Sequence, residues 1–258
     1  KGRRIIDFHD NNLHLVSHSE PVDEWLTLEE LNPYLHSLPD QPDAIPYVTS
    51  YYERRWGFCL TDKQRNSLKS GRYHVLIDST FKSGMLNYGE LILPGDSKDE
   101  ILLSTYICHP SMANNELSGP VMTTALAKWL SSLKKRRYTY RIIYTSETIG
   151  TIVYLSQNLD EMKKYVVGGY VVTCIGDPGP FSYLKTRQEN TLVDKVTLHV
   201  LEHSGLKYKI YDYLSRGSDE RQYNYPGVNL NIGSLMRSKY REYPEYHTSK
   251  DNLNFINP

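Results

Sequence analysis

From residue 99 onward, short and almost wholly apolar runs alternate with segments whose apolar residues recur at helical spacing. That rhythm constrains the fold more than any other feature of the chain. Ile101–Cys108 is too short for a core helix and has no polar alternate face, so it reads as a strand covered on both sides. Ser118–Leu133 follows, with Val121, Leu126, Trp129, Leu130 and Leu133 set for one helical face. Tyr138–Tyr144 reads as a strand, Ile149–Tyr165 as a helix, Val166–Ile175 as a strand, Leu192–His203 as a helix and Leu206–Tyr213 as a strand. Alternation of this kind predicts an α/β fold with a doubly wound, mostly parallel sheet and flanking helices.

The preceding stretch behaves differently. Arg3–Phe8 and Asn12–Val16 are short β-prone runs. Leu26–Leu38 contains a short helix, capped at Thr27, carrying Glu29 and Glu30 in its first turn and stopped near Pro39. Tyr73–Phe81 and Leu86–Leu93 flank Lys82-Ser83-Gly84, which predicts a hairpin. The expected organisation is a β-rich accessory domain over 1–96 and the α/β domain over 97–258.

Composition narrows the function classes. The 30 basic and 30 acidic residues cancel, which argues against a dedicated nucleic-acid or membrane-surface protein. No run of about 18 apolar residues exists, so no transmembrane helix is expected. Three cysteines, an odd and sparse set, suit a reducing compartment and predict a cytoplasmic protein. Tyrosine (22) far outnumbers phenylalanine (5), which suits partly wet surfaces such as a cleft or a homo-oligomer interface.

Open α/β sheets bind ligands beyond the carboxyl ends of their strands. The residues just past three successive strands are His109, Glu147 and Asp177. Any one of them alone is bland, since Asp177-Pro178-Gly179 is also an ordinary turn. Together on one edge they suggest metal-assisted hydrolysis: imidazole and carboxylate ligate zinc, and a glutamate takes a proton from an activated water. No H-E-x-x-H, G-x-S-x-G, P-loop or G-x-G-x-x-G string occurs, which removes the main support for zincin, serine hydrolase, nucleotide hydrolase and Rossmann readings.

His109-Pro110-Ser111-Met112-Ala113-Asn114-Asn115-Glu116-Leu117-Ser118-Gly119-Pro120 resembles a motif of a bacterial aminopeptidase-like family long labelled a domain of unknown function. That family is related to the zinc aminopeptidases and glutaminyl cyclases. Glu147-Thr148-Ile149-Gly150, Gly176-Asp177-Pro178-Gly179, Gly217-Ser218-Asp219-Glu220-Arg221-Gln222 and the run from Glu242 to Ser249 match in the same order. The resemblance implies a zinc aminopeptidase-type hydrolase of a small peptide or amide substrate. It implies His109, position 115, Asp177 and His247 as metal ligands and Glu147 as general base. A site there would use Asp219, Glu220 and Arg221 as a wall for the substrate's amino group and Tyr240 and Tyr246 as its lining. Relatives carry further segments on both flanks, so a fragment or shortened form is expected.

Two departures matter. The usual Asp-Asn pair is Asn115-Glu116 here, and the second acidic residue after the base is Thr148. One zinc is therefore expected, not two. Plainer readings stand beside each assignment. Asn115, Glu116 and Glu147 suit helix starts, Asp219 to Arg221 suits a local ion-pair cluster, and the tyrosines suit loop packing. Three rivals follow: a non-catalytic binding module, an assembly protein whose working surface is the β-rich segment and its tyrosines, and an amidohydrolase acting on an amino sugar in surface-polysaccharide biosynthesis.

Overall fold

The computed structural model describes residues 2–257, which fall into two compact units. The smaller unit gathers the chain up to Met85 with Pro110–Met112 and Glu245–Asn252. The larger holds Leu86–His109, Ala113–Pro244 and the chain from Leu253 onward.

In the smaller unit, β1 (Val22–Thr27) leads directly into α1 (Leu28–Leu31), where Thr27 and Glu30 form a reciprocal capping box. β2 (Leu35–His36) pairs in parallel with β3 (Phe58–Cys59), and α2 (Asp62–Asn66) starts from a second capping box, Thr61 with Gln64. β4 (Arg72–Ile77) runs antiparallel to β1, with Val22 opposite Ile77. Leu31, Leu35, Leu60 and Val75 form one core, and Leu13, Val16, Ile45, Cys59 and Met112 another.

The larger unit is the expected α/β sheet. Its strands are β5 (Gly89–Leu93), β6 (Glu100–Tyr106), β7 (Thr139–Thr145), β8 (Val166–Val172), β9 (Phe181–Leu184), β10 (Tyr208–Tyr211) and β11 (Ile232–Met236). The order across the sheet is β10-β9-β11-β8-β6-β7-β5. β6 is parallel to both β7 and β8, and only β5 and the β9–β11 pair introduce antiparallel contacts. The connecting helices are α3 (Ser118–Ser132), α4 (Ile149–Tyr165) and α5 (Leu192–His203), with the short α6 (Asp219–Tyr223) before β11.

Alternate residues of β6 serve opposite faces, as a strand buried on both sides requires. Leu102 packs with Ile143, Tyr154, Leu155, Met162 and Val171, whereas Leu103 packs with Ala127, Leu130 and Ile142. The predicted hairpin is not formed. β4 takes β1 as its partner, and β5 pairs along its whole length with β7, from Gly89 opposite Tyr144 to Leu93 opposite Tyr140. Lys82-Ser83-Gly84 lacks the Asn-Gly or Asp-Gly chemistry that closes a tight hairpin, and each run finds a better partner elsewhere. Leu86–Leu93, read as part of the accessory region, thus contributes to the large sheet.

Candidate active site and metal-binding group

β8, β6 and β7 are neighbours, so the chain leaves their carboxyl ends at adjacent points of one sheet edge. Past β6, residues 113–117 form a π-helical turn that runs straight into α3. Such a turn inserts an extra residue and re-aims the side chains it carries. Glu116 consequently faces back toward the end of β6. Its carboxylate accepts from the Cys108 backbone N–H at 2.7 Å, contacts His109 Nδ1 and receives the Cys108 thiol at 3.5 Å. Cys108 Sγ lies 2.9 Å from His109 Nδ1. The side chains of His109 and Glu116 are each only 7% exposed. Burial pushes the Cys108 thiol up, and the Glu116 charge adds to this, while the backbone N–H of Glu147 donates to the sulfur and opposes it.

Asn115, the residue beside it, turns elsewhere. Its amide donates to Tyr106 Oη at 3.4 Å and points at Cys174 Sγ at 3.7 Å, and its carbonyl accepts from Thr173 Oγ1. Asp177 is enclosed by donors. Oδ1 accepts from the Gly179 N–H at 2.8 Å and Ser238 Oγ at 2.7 Å, and Oδ2 from Asn114 Nδ2 and the Ser238 N–H at 3.0 Å each. A carboxylate offers about four acceptor positions, and all are used in closing the loop after β8.

Glu147 lies two residues past the end of β7, and the Ser218 hydroxyl donates to its carboxylate. Thr148 then adopts φ 61° and ψ −68°, a costly conformation for a β-branched residue. Its N–H donates to Asp219 Oδ1 at 2.7 Å, which pins the strained peptide and with it Glu147. Asp219 is fully buried, and burial pushes its carboxyl up to about 7. The Thr148 N–H works against that rise, and the charges of Glu147 and Glu220 reinforce it.

Glu220 is equally buried. It accepts from the Ser218 N–H at 2.8 Å and Ser234 Oγ at 3.0 Å, and lies 3.7 Å from Arg216. Arg216 donates to Tyr106 Oη at 3.3 Å and its guanidinium sits 5.6 Å from the Tyr240 ring. Arg221 turns away, bonding the Arg216 carbonyl at 2.8 Å and covering Tyr213. Tyr246 and His247 belong to the smaller unit, stacked on each other at 3.9 Å with Tyr47 edge-on to His247.

Of the residues singled out in the sequence, the larger unit groups His109 with Glu147 through Cys108, and Glu147 with Asp219 through Thr148. Among the described residues, the His, Cys and carboxylate atoms placed for a metal are those of Cys108, His109 and Glu116, all within 4.8 Å of one another. Cys108 escaped sequence reasoning because a lone cysteine at a strand end carries no spacing signal. Arg216 was missed because it falls one residue before the matched Gly217 motif.

Residues 5–258 match the family described as a domain of unknown function, DUF4910. The chain belongs to this family. A curated Clostridium acetobutylicum relative is 48% identical over 257 residues, covering all of this chain and 58% of its own length. Its name assigns it provisionally to polysaccharide biosynthesis and gives it an aminopeptidase-like domain. The crystal structure of a provisionally named peptidase from the same organism superposes with a TM-score of 0.96 at 48% identity, over 99% of this chain and 60% of that one. This chain thus spans under two-thirds of each. A zinc aminopeptidase from Bacillus subtilis shares the fold at 14% identity, with a TM-score of 0.63 over 86% of this chain and 58% of its own. The aminopeptidase-like fold is therefore that of the DUF4910 chain. Among the described residues no helix is long and apolar enough to cross a membrane.

Proposed function

We propose that the chain carries the hydrolytic centre of an aminopeptidase-like enzyme that cleaves the amide of a small peptide or peptide-like substrate. The observation that carries this reading is the mounting of Glu147. It stands at the carboxyl edge of the parallel sheet, its carboxylate met by the Ser218 hydroxyl and its following peptide held in a strained turn by buried Asp219. Strain held in place by a buried carboxylate is a mark of a functional position. Glu147 takes the proton from the attacking water and returns it to the leaving amine, the ordinary work of a positioned carboxylate. Asp219 and Glu220, set beside Glu147 at the start of α6, are assigned to the side of the site that receives the substrate's amino group. Tyr240, whose ring lies 5.6 Å from the Arg216 guanidinium in the same unit as Glu147, is assigned to the substrate's flank.

The aminopeptidase likeness implies a zinc ion, which supplies Lewis acidity and acidifies water when bound. The ligand set that goes with it does not fit here. Asp177 has its acceptor positions filled by the chain, and Asn115 brings a neutral amide oxygen where that set calls for a charged carboxylate.

A second reading, cleavage of an amide on an amino sugar, draws on the polysaccharide-biosynthesis name of the Clostridium relative. One assay separates the two. The purified protein, supplied with divalent metal, is offered aminoacyl anilides, dipeptides and N-acyl amino sugars, and amine release is followed. The expected result is turnover of the amino-terminal amides, falling by about 10²–10⁴-fold in Glu147→Gln. Equal turnover by that variant rejects Glu147 as the proton carrier.

A further inference from the structure

We propose that Cys108, His109 and Glu116 form a mixed thiolate, imidazole and carboxylate site for a zinc-class divalent cation, sharing only His109 with the His109, Asn115, Asp177 and His247 set that the family resemblance implies. The proposal stands on the geometry of these three residues and does not depend on amide hydrolysis.

Three kinds of zinc ligand converge from two stretches of chain, the exit of β6 and the π-helical turn before α3. Sγ lies 2.9 Å from Nδ1 and 3.5 Å from Oε1. In a tetrahedral zinc site with bonds of about 2.0–2.3 Å, donor atoms stand about 3.3–3.8 Å apart. Small rotations of the side chains therefore open the group to the size of an ion. Charge favours the same occupant. One thiolate and one carboxylate neutralise a divalent cation, so the filled site adds no net charge to a buried environment.

The same three residues do not make a nucleophilic relay. A relay uses both nitrogens of the imidazole, one toward the nucleophile and one toward the carboxylate. Here thiol and carboxylate both meet Nδ1. Metal entry is balanced by loss of one proton: the thiol S–H bond breaks, an S–metal bond forms and the proton leaves to solvent. The backbone N–H groups already in place suit the product. That of Cys108 orients Glu116 Oε2, and that of Glu147 donates to the sulfur. A thiolate ligand makes the site selective for zinc or cobalt over magnesium or manganese.

The test is cobalt(II) loading of the purified protein, read by metal stoichiometry and by the near-ultraviolet thiolate-to-cobalt absorption band. The expected result is one cobalt per chain with the sulfur band present. The band should vanish in Cys108→Ser and persist in Cys174→Ser. Affinity should drop by at least about tenfold in His109→Ala and Glu116→Gln, and stay unchanged in Asp177→Asn. Cobalt bound to the unaltered protein without a sulfur band overturns the proposal, whatever the variants do. So does no binding at all, or binding lost in Asp177→Asn and kept in Cys108→Ser. Turnover enters none of these readouts, so a failed amide assay and a failed metal site are told apart.

Discussion

Replacing Asp219 with asparagine should remove a pH-dependent liability built into the mounting of Glu147. The Asp219 carboxyl, raised from 3.8 to about 7, titrates near its ordinary value once the chain unfolds. Between those pH values the native state keeps a proton that the unfolded state has lost, so stability falls as pH rises. This contribution is fully present below about pH 3.8 and is gone once pH has climbed through about 7. Three pH units at about 1.4 kcal/mol each amount to about 4 kcal/mol. Asparagine imitates the protonated form, since its side-chain carbonyl can still accept the Thr148 N–H and it carries no charge. The variant and the unaltered protein should therefore be equally stable near pH 4, and the variant should lead by about 4 kcal/mol near pH 8. Urea unfolding of both proteins at several pH values gives the comparison, and the difference cancels the titrating groups that do not interact with position 219. A difference that stays flat across pH, or that widens toward acid, refutes the argument.

Three further substitutions test how the sheet is held. Arg141 is bonded to Glu100 at 2.6 and 3.1 Å, to Tyr154 Oη at 2.8 Å and to Glu161 at 2.6 Å. Arg141→Met strands the buried Glu100 and should cost about 3–5 kcal/mol in denaturant unfolding, and an unchanged midpoint would show that the cluster is dispensable. Gly119→Ala places a Cβ 2.5 Å from both Thr105 Oγ1 and the Val172 carbonyl, which lifts α3 from β6 and β8. A cost of about 1–3 kcal/mol, read as a lowered Tm, is expected, and no change would mean that the helix packs less tightly than the structure has it. Burial raises the Asp194 carboxyl, but donors from Thr186, Thr191 and Tyr183 outweigh it and hold the group below its usual range. Asp194→Asn should therefore destabilise near neutrality by about 1–3 kcal/mol, with the gap closing as pH falls below about 4. A gap that persists in acid would assign the loss to packing.

The large sheet was legible because its central strands have no polar face and its long helices have strong period and sharp ends. Ile149–Tyr165 and Leu192–His203 have the predicted limits. Thr191, with its side chain on the Asp194 N–H, shows how clear such a start can be. What escaped was pairing. β9 and β11 are four and five residues long and take partners far away in sequence, β10 and β8, so neither announces itself locally. The hairpin expected around Lys82-Ser83-Gly84 failed for the same reason. Local β-propensity says that a run will pair, and tertiary contacts decide with what.

The candidate site was half legible, for a reason of register. Reading the few residues past each strand finds His109, Glu147 and Asp177, because a strand end fixes where the following residues emerge. It cannot say which of Asn114, Asn115 and Glu116 returns to His109, since that depends on the turn between Ala113 and Leu117. In that π-helical turn Asn114 closes on the backbone of Gly176 and Asp177, Asn115 on Tyr106, and Glu116 on Cys108 and His109. The acidic residue that meets the histidine thus lies one position later than the family pattern, and its arrival draws in the neighbouring thiol. A substitution that looks like loss of a ligand at position 115 is, in three dimensions, a carboxylate gained at position 116.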